Sequence, residues 1–229
     1  MERTRDLRDV LAEVAARPKM RGTLHMWGFF VSLVLGLALV VVAAAWRGED
    51  AALACGIYAL AVSGLLGTSA TYHRVRWRTQ SALQWMRRLD HAMIFVLIAG
   101  TYTPVALLAL HGTLQVVVMG IAWGGAVAGI AFSLLWIGAP RWLTALIYVA
   151  LGGAVVLFAG DLVRDVGPLG TGLLVAGGLL YTAGAVVYAR QRPDPAPRVF
   201  GFHEIFHALV VLALIAHYGA IAFGVLPNA

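Results

Sequence analysis

Charge is scarce in this chain. Asp, Glu, Lys and Arg make up only 12% of its 229 residues, about half the share usual in a soluble domain. That is too little to coat a water-facing surface, and it argues against a soluble enzyme. Cysteine is nearly missing. Cys55 is the single one and lies in an apolar run, which excludes a disulfide framework and a thiolate zinc finger. Acidic residues number 11 against 17 Lys and Arg, and the isoelectric point is near 10.0. An excess of that kind raises the question of a nucleic-acid partner, and the placement of the basic residues answers it below. What the chain has in abundance is apolar surface: 61% hydrophobic residues and a mean hydropathy of +0.83. The composition is that of a polytopic membrane protein.

A bilayer core of roughly 30 Å takes about 20 apolar residues of helix. Seven such runs are present: Leu24–Trp46, Ala51–Tyr72, His91–Leu110, Leu114–Trp136, Trp142–Gly160, Leu169–Ala189 and Ile205–Leu226. The expected fold is an all-α, seven-transmembrane-helix bundle over residues 24–229, preceded by a charged segment at residues 1–23. The first run is long enough to span, so a cleaved signal peptide is not expected. Within the leading segment, Leu7, Val10, Leu11 and Val14 recur at helical spacing up to Pro18, the pattern of a short helix lying on the interface. Trp27, Trp46, Trp77, Trp136 and Trp142 fall near span ends and read as interfacial anchors.

Basic residues set orientation. The first segment, the His73–Leu89 loop, Arg141 and the Arg190–Phe202 loop together carry 15 Lys and Arg, and the other side carries only Arg47 and Arg164. The expectation is a plasma-membrane protein with a cytoplasmic N-terminus and an outside C-terminus. The high isoelectric point is then a topogenic signal with affinity for anionic lipid, and a nucleic-acid partner is not expected. The glycines in the later spans (Gly120, Gly124, Gly125 and Gly129; Gly152, Gly153, Gly177, Gly178 and Gly184) read as close-packing positions.

Ionisable residues in or beside the spans are functional candidates by default. His73 ends the second span, Asp90 opens the third, and His203 and His207 open the seventh. The alternating topology puts all four at one depth, although they are separated by up to 134 residues. His203 and His207, at i and i+4, can both reach one ion, and His73 supplies a third nitrogen from another helix. Zinc held by three histidines keeps an open position, where a water has its pKa lowered to about 7. Asp90 can take a proton from that water, and Ser69, one turn before His73, can hydrogen-bond beside it. His25 opens the first span on the same side, as an interfacial group or a neighbour of the site. His91 is about 100° around the helix from Asp90 and is not expected to be a ligand. His217 is expected to pair with a neighbouring helix, and His111 to be solvated. Residues 203–207 also spell His-Glu-Ile-Phe-His, the H-E-x-x-H pattern in which Glu204 would be the base of an intramembrane metalloprotease. That reading leaves His73 and Asp90 without a role.

Ser69-x3-His73, Arg88-Leu89-Asp90-His91-Ala92, Ala99-Gly100-Thr101-Tyr102-Thr103-Pro104 and Gly201-Phe202-His203-Glu204-Ile205-Phe206-His207 together resemble the hemolysin III family. This is the prokaryotic branch of the progestin and adipoQ receptors, grouped with alkaline ceramidases. The resemblance runs from about Pro18 to the C-terminus. It implies a seven-helix bundle with Zn2+ near the cytoplasmic face, held by His73, His203 and His207. It places Asp90 against the zinc-bound water and Ser69 as the motif serine. Receptor-type members carry a glutamate before that serine, where this chain has Gly64-Leu65-Leu66-Gly67, and they carry a large N-terminal domain not found here. The expected function is a zinc-dependent hydrolase of lipid amides linked to membrane homeostasis, with membrane lipids as partners and an amide-linked acyl chain in the substrate. The alternatives are a non-enzymatic sensor of membrane lipids with a structural zinc, and a lytic or channel protein. The polar-poor third to sixth spans argue against the last.

Overall fold

The computed structural model describes residues 18–228. Its helices are α1 (Thr23–Arg47), α2 (Glu49–Arg74), α3 (Gln80–Ala109), α4 (Gly112–Leu135), α5 (Arg141–Gly153), α6 (Ala159–Arg190), α7 (Phe202–Ala220) and a last turn, α8 (Leu226–Asn228). A 3-10 segment, Ala154–Phe158, joins α5 to α6, and a π segment, Ile221–Val225, follows α7. Among the described residues there is no strand, only one isolated bridge between Ala196 and Phe200. The expected interfacial helix around Leu7–Val14 lies outside the described residues.

Six helical runs are long and apolar enough to cross a membrane: 23–47, 49–74, 80–109, 112–135, 141–190 and 202–228. Their outer faces are apolar and open, with Leu135, Leu157 and Leu60 each at least 75% exposed, as lipid-facing side chains must be. Four of the five tryptophans read as anchors, Trp27, Trp46, Trp136 and Trp142, are likewise exposed. The chain is an all-helical, multi-pass membrane protein.

Boundaries follow local chemistry. Gly48, at φ 84°, is the lone residue between α1 and α2, a conformation that favours glycine. Glu49 and Asp50 then sit in the first turn of α2, where the helix dipole welcomes them. Helix α3 begins at Gln80, eleven residues before the expected His91, because the Thr79 side chain caps it by accepting from the Ala82 amide at 3.2 Å. Arg87 and Arg88 are therefore helical and do not belong to a loop.

The expected loop at Asp161–Pro168 is also mostly helical. Arg164 pairs with Asp161 at 2.7 Å and with Asp165 at 2.9 Å along that turn, and the break comes at Gly167, φ 77° and ψ 166°. Pro168 disfavours helical geometry in the residue before it, and only glycine takes that positive φ freely.

A second interruption is handled inside the bundle. Where α5 tightens into its 3-10 continuation, the Tyr102 hydroxyl donates toward the carbonyls of Leu151 (3.2 Å) and Gly152 (2.9 Å) and accepts from the Val155 amide (2.8 Å). Irregular backbone within a membrane is stable only when such groups are satisfied. The core forms two clusters. One gathers Phe95, Ala99, Tyr102, Val118, Ala122 and Val166 around α3, α4 and α6. The other gathers Leu39, Cys55, Tyr58, Leu97, Val210 and Leu214 around α1, α2, α3 and α7.

The glycines divide. A Cβ at Gly125 would meet Leu151, one at Gly129 would meet Phe95, one at Gly177 would meet His217, and Gly184 lies against Phe206. Gly120, Gly124, Gly152, Gly153 and Gly178 face open space, so the small-residue pattern overstates the packing.

Replacing Tyr102 by Phe keeps the ring and removes the hydroxyl that serves three backbone groups. The expected cost is about 2 kcal/mol, read as a lower melting temperature of the detergent-purified protein. An unchanged melting curve would show that the 3-10 segment does not need Tyr102.

Candidate metal centre

One end of the bundle is assembled from three separate stretches of chain. His73 lies in the last turn of α2, Asp90 in the second half of the polar opening of α3, and His203 and His207 on the first two turns of α7. The segment before α1 is stitched to the loop before α7 by Lys19 N–H to Arg198 O at 3.0 Å and Met20 N–H to Val199 O at 3.2 Å. Gly22, at φ +73°, packs so closely on His73 that a Cβ there would lie 2.7 Å from the His73 Cβ.

The three histidines converge. Their ligand atoms all lie within 4.8 Å of one another, and the Nε2 atoms of His73 and His203 are 3.1 Å apart. A tetrahedral ion with nitrogens at about 2.0–2.1 Å requires ligand–ligand edges of about 3.3 Å, so the pair already stands near that spacing. His207 is 2% exposed and His73 9%. Three imidazoles gathered in a largely buried site are a donor set suited to a divalent cation. These residues can hold a metal ion.

Asp90 stands beside the set, with Oδ2 3.9 Å from His73 Nε2. Ser69, 3% exposed, lines the same end of the cavity as Asp90. The structure thus brings together all five residues singled out from the sequence. His91 is elsewhere engaged: Nδ1 faces the Arg87 carbonyl at 2.9 Å and Nε2 the Tyr188 hydroxyl at 3.2 Å. His217 Nε2 meets the Leu174 carbonyl of α6 at 3.2 Å, a pairing with a neighbouring helix as expected. His111 is exposed ahead of α4.

The structure decides between the alternatives left for two further residues. His25 is 2% exposed and stacks flat on His207, ring centroids 3.7 Å apart and planes 5° apart. It is a buried neighbour of the site; its depth in the span was the only sequence signal for this. Glu204 is 1% exposed, with Oε1 taken by Arg21 Nε at 2.6 Å and Oε2 by the Gly201 amide at 2.8 Å. Both oxygens are spent on closing the head of α7, so Glu204 is a structural clamp, and the metalloprotease reading loses its base.

From the histidines a cavity of about 300 Å³ runs into the bundle, lined at one end by Ser69, Asp90 and His207 and further along by Leu174, Tyr181 and His217. Its walls are mostly aliphatic and aromatic, the composition of a site for an apolar ligand with a few orienting polar groups.

Two measurements test this arrangement. Purified protein is expected to hold about one metal ion per chain by mass spectrometry, and His73→Ala, His203→Ala and His207→Ala each to hold little. Equal metal in wild type and all three variants would dismiss the centre. For the clamp, Arg21→Met and Glu204→Gln are each expected to lower thermal stability, with a coupling of about 1–3 kcal/mol between them. Strict additivity would show that the ion pair contributes nothing.

Comparison with known proteins identifies the family. The chain is 28% identical over 205 residues to "Hemolysin-3" of Bacillus cereus, covering 90% of each chain. It is 26% identical over 199 residues to "Hemolysin-3 homolog" of Bacillus subtilis (strain 168), covering 87% of this chain and 90% of the relative. The family model described as "Haemolysin-III related" matches residues 14–218, a stretch that contains α1 to α6, all but the last two residues of α7 and all five residues of the site, and the chain belongs to that family.

Proposed function

We propose that this protein is a zinc-dependent hydrolase of lipid amides in the cell membrane. The observation that carries the reading is the union of an open-ended three-histidine cluster with a mostly apolar cavity that begins at it. Three imidazoles with no oxygen-rich cage suit zinc and its transition-metal neighbours and disfavour magnesium and calcium, and three protein ligands with an open position is the form catalytic zinc takes. Such a metal, when bound, supplies Lewis-acid polarisation of a carbonyl and an acidified water.

The remaining work falls to the chain's own side chains. Asp90 holds at its carboxylate the proton that a water loses on attacking the amide carbon, and it returns that proton to the leaving nitrogen as the C–N bond breaks. The products are a carboxylic acid and an amine. Ser69 fixes the orientation of the Asp90 carboxylate. The cavity walls exclude water from the acyl chain and hold it in one direction, so that the carbonyl stays at the histidine end.

The same reading gives the chain seven crossings, with the 50-residue run Arg141–Arg190 counted as two. A straight helix of that length would be about 75 Å long, more than twice a bilayer core, and Gly167 supplies a break. The excess of basic residues at the histidine end supports a cytoplasmic position for it in this reading. An amide-bearing membrane lipid then reaches the site sideways, from the bilayer. The relatives carry the name hemolysin, but a mostly apolar cavity favours lipid over a water-filled pore.

The decisive comparison is zinc-loaded wild type against Asp90→Asn on a panel of lipid amides. Wild type is expected to release fatty acid, and the variant to keep its zinc and lose at least about a hundredfold in rate. If neither releases fatty acid from any member of a broad panel, the hydrolase reading fails. If Asp90→Asn also leaves the cellular phenotype intact, zinc would have a structural role in a lipid sensor.

A further inference from the structure

The far end of the cavity holds two polar groups that the proposed hydrolysis does not use. His217 on α7 and Tyr181 on α6 both line it. Their rings meet edge to face, with centroids 5.4 Å apart. His217 is 8% exposed, and a Cβ at Gly177 would strike its ring, so the imidazole is gripped in place. Its Nε2 lies 3.2 Å from the Leu174 carbonyl. A carbonyl can only accept, so Nε2 carries the hydrogen and Nδ1 is left with a lone pair. That Nδ1 and the Tyr181 hydroxyl are both buried without a hydrogen-bond partner among the described residues.

Two unsatisfied polar atoms at mid-membrane depth are costly, because the surroundings offer no water in exchange. Their complementarity identifies what would satisfy both. Nδ1 can only accept, and the tyrosine hydroxyl can donate. A hydroxyl group placed between them donates to the first and accepts from the second. A ketone could serve Tyr181 alone, and a methylene neither.

Position along the chain also follows. His217 is ten residues beyond His207 on one helix, a rise of about 15 Å. An extended hydrocarbon chain advances about 1.25 Å per carbon, so a group held at His217 lies roughly twelve carbons from one held at the histidine cluster. We propose that Tyr181 and His217 form a second recognition point in the cavity, selecting a lipid whose acyl chain carries a hydroxyl group roughly ten to thirteen carbons from its carbonyl. The proposal deepens the lipid-amide reading and rests on the cavity being a lipid site.

The test is competition against radiolabelled octadecanoic acid on zinc-loaded, detergent-purified protein, with unlabelled octadecanoic, 2-hydroxyoctadecanoic and 12-hydroxyoctadecanoic acids as competitors. Wild type is expected to bind the 12-hydroxy acid at least about tenfold more tightly than the unsubstituted acid, as two added hydrogen bonds to buried groups imply. The 2-hydroxy acid should show no such preference. In Tyr181→Phe, which removes one oxygen and keeps the ring, the ratio of affinities for the 12-hydroxy and unsubstituted acids should fall to within about threefold of unity, whatever the variant does to octadecanoic acid binding itself. Comparing the two proteins cancels any difference in how the acids partition into micelles.

If wild type binds the 12-hydroxy and unsubstituted acids alike, a water molecule serves the pair. The selectivity proposal then fails while the cavity remains a lipid site. A preference that survives in Tyr181→Phe also overturns it. If none of the acids competes, the reading of the cavity fails, and this proposal with it.

Discussion

The contact on which the histidine end depends is the pairing of Arg21 with Glu204, 2.6 Å between residues 183 apart in sequence. A carboxylate buried to 1% exposure at the head of a membrane helix is tolerable only if its charge is matched and its oxygens are occupied. Glu204 meets both conditions, with Arg21 on one oxygen and the Gly201 amide on the other. Asp194 accepts from the next amide, Phe202, at 2.9 Å, so α7 starts in a fixed place. Arg21 in turn belongs to the segment that enters α1, whose neighbour Gly22 presses on His73. One ion pair therefore couples the start of α1, the end of α2 and the start of α7, which are the elements that carry His25, His73, His203 and His207.

The spans were legible because hydropathy reports burial in lipid directly, and six runs of spanning length appear where apolar residues accumulate. The candidate site was legible for a different reason. His73, Asp90, His203 and His207 are costly at their depth, and alternating topology brings span ends together however far apart they are in sequence. What escaped the sequence reading depends on tertiary partners. The early start of α3 rests on one capping hydroxyl, Thr79, within a polar stretch that resembles a loop. Glu204 matched a catalytic pattern letter for letter, and only the position of Arg21 shows that its oxygens are already taken. His25 carries no spacing signal, since its partner His207 lies on the last long helix and stacking leaves no periodic trace.

The Ala99–Pro104 motif illustrates how a family signature can serve the fold and leave chemistry to other residues. A Cβ at Gly100 would collide with Ala61, so α2 and α3 touch backbone to backbone at that level. Tyr102 satisfies the disrupted turn between α5 and its 3-10 continuation. Thr103 accepts from Trp123 Nε1 of α4 at 3.2 Å and is wholly buried. Three contacts within four residues thus fix α3 against α2, α4 and α5. Asp90 sits roughly three to four turns earlier on the same rod, so the motif sets the position of the carboxylate without approaching it.

A metal held by three imidazoles can be structural or reactive, and the difference lies in what fills the fourth direction. His25 is the nearest further imidazole, and its geometry is unfavourable for that position. Its ring lies parallel to that of His207 at 3.7 Å, and imidazole lone pairs lie in the ring plane. Two stacked rings point along parallel lines, so converging on one ion would require His25 to tilt away from the face it covers. Its stacking instead holds the His207 ring plane steady. Asp90 faces the cluster differently, with a carboxylate oxygen 3.9 Å from a nitrogen of the ligand set itself, too far for a direct hydrogen bond but close enough to share a small molecule with it. Were an ion held by the three histidines, Asp90 and the head of the mostly apolar cavity would be its neighbours on the side that the stacked His25 ring leaves free, and that is the side on which the proposed lipid chemistry would have to take place.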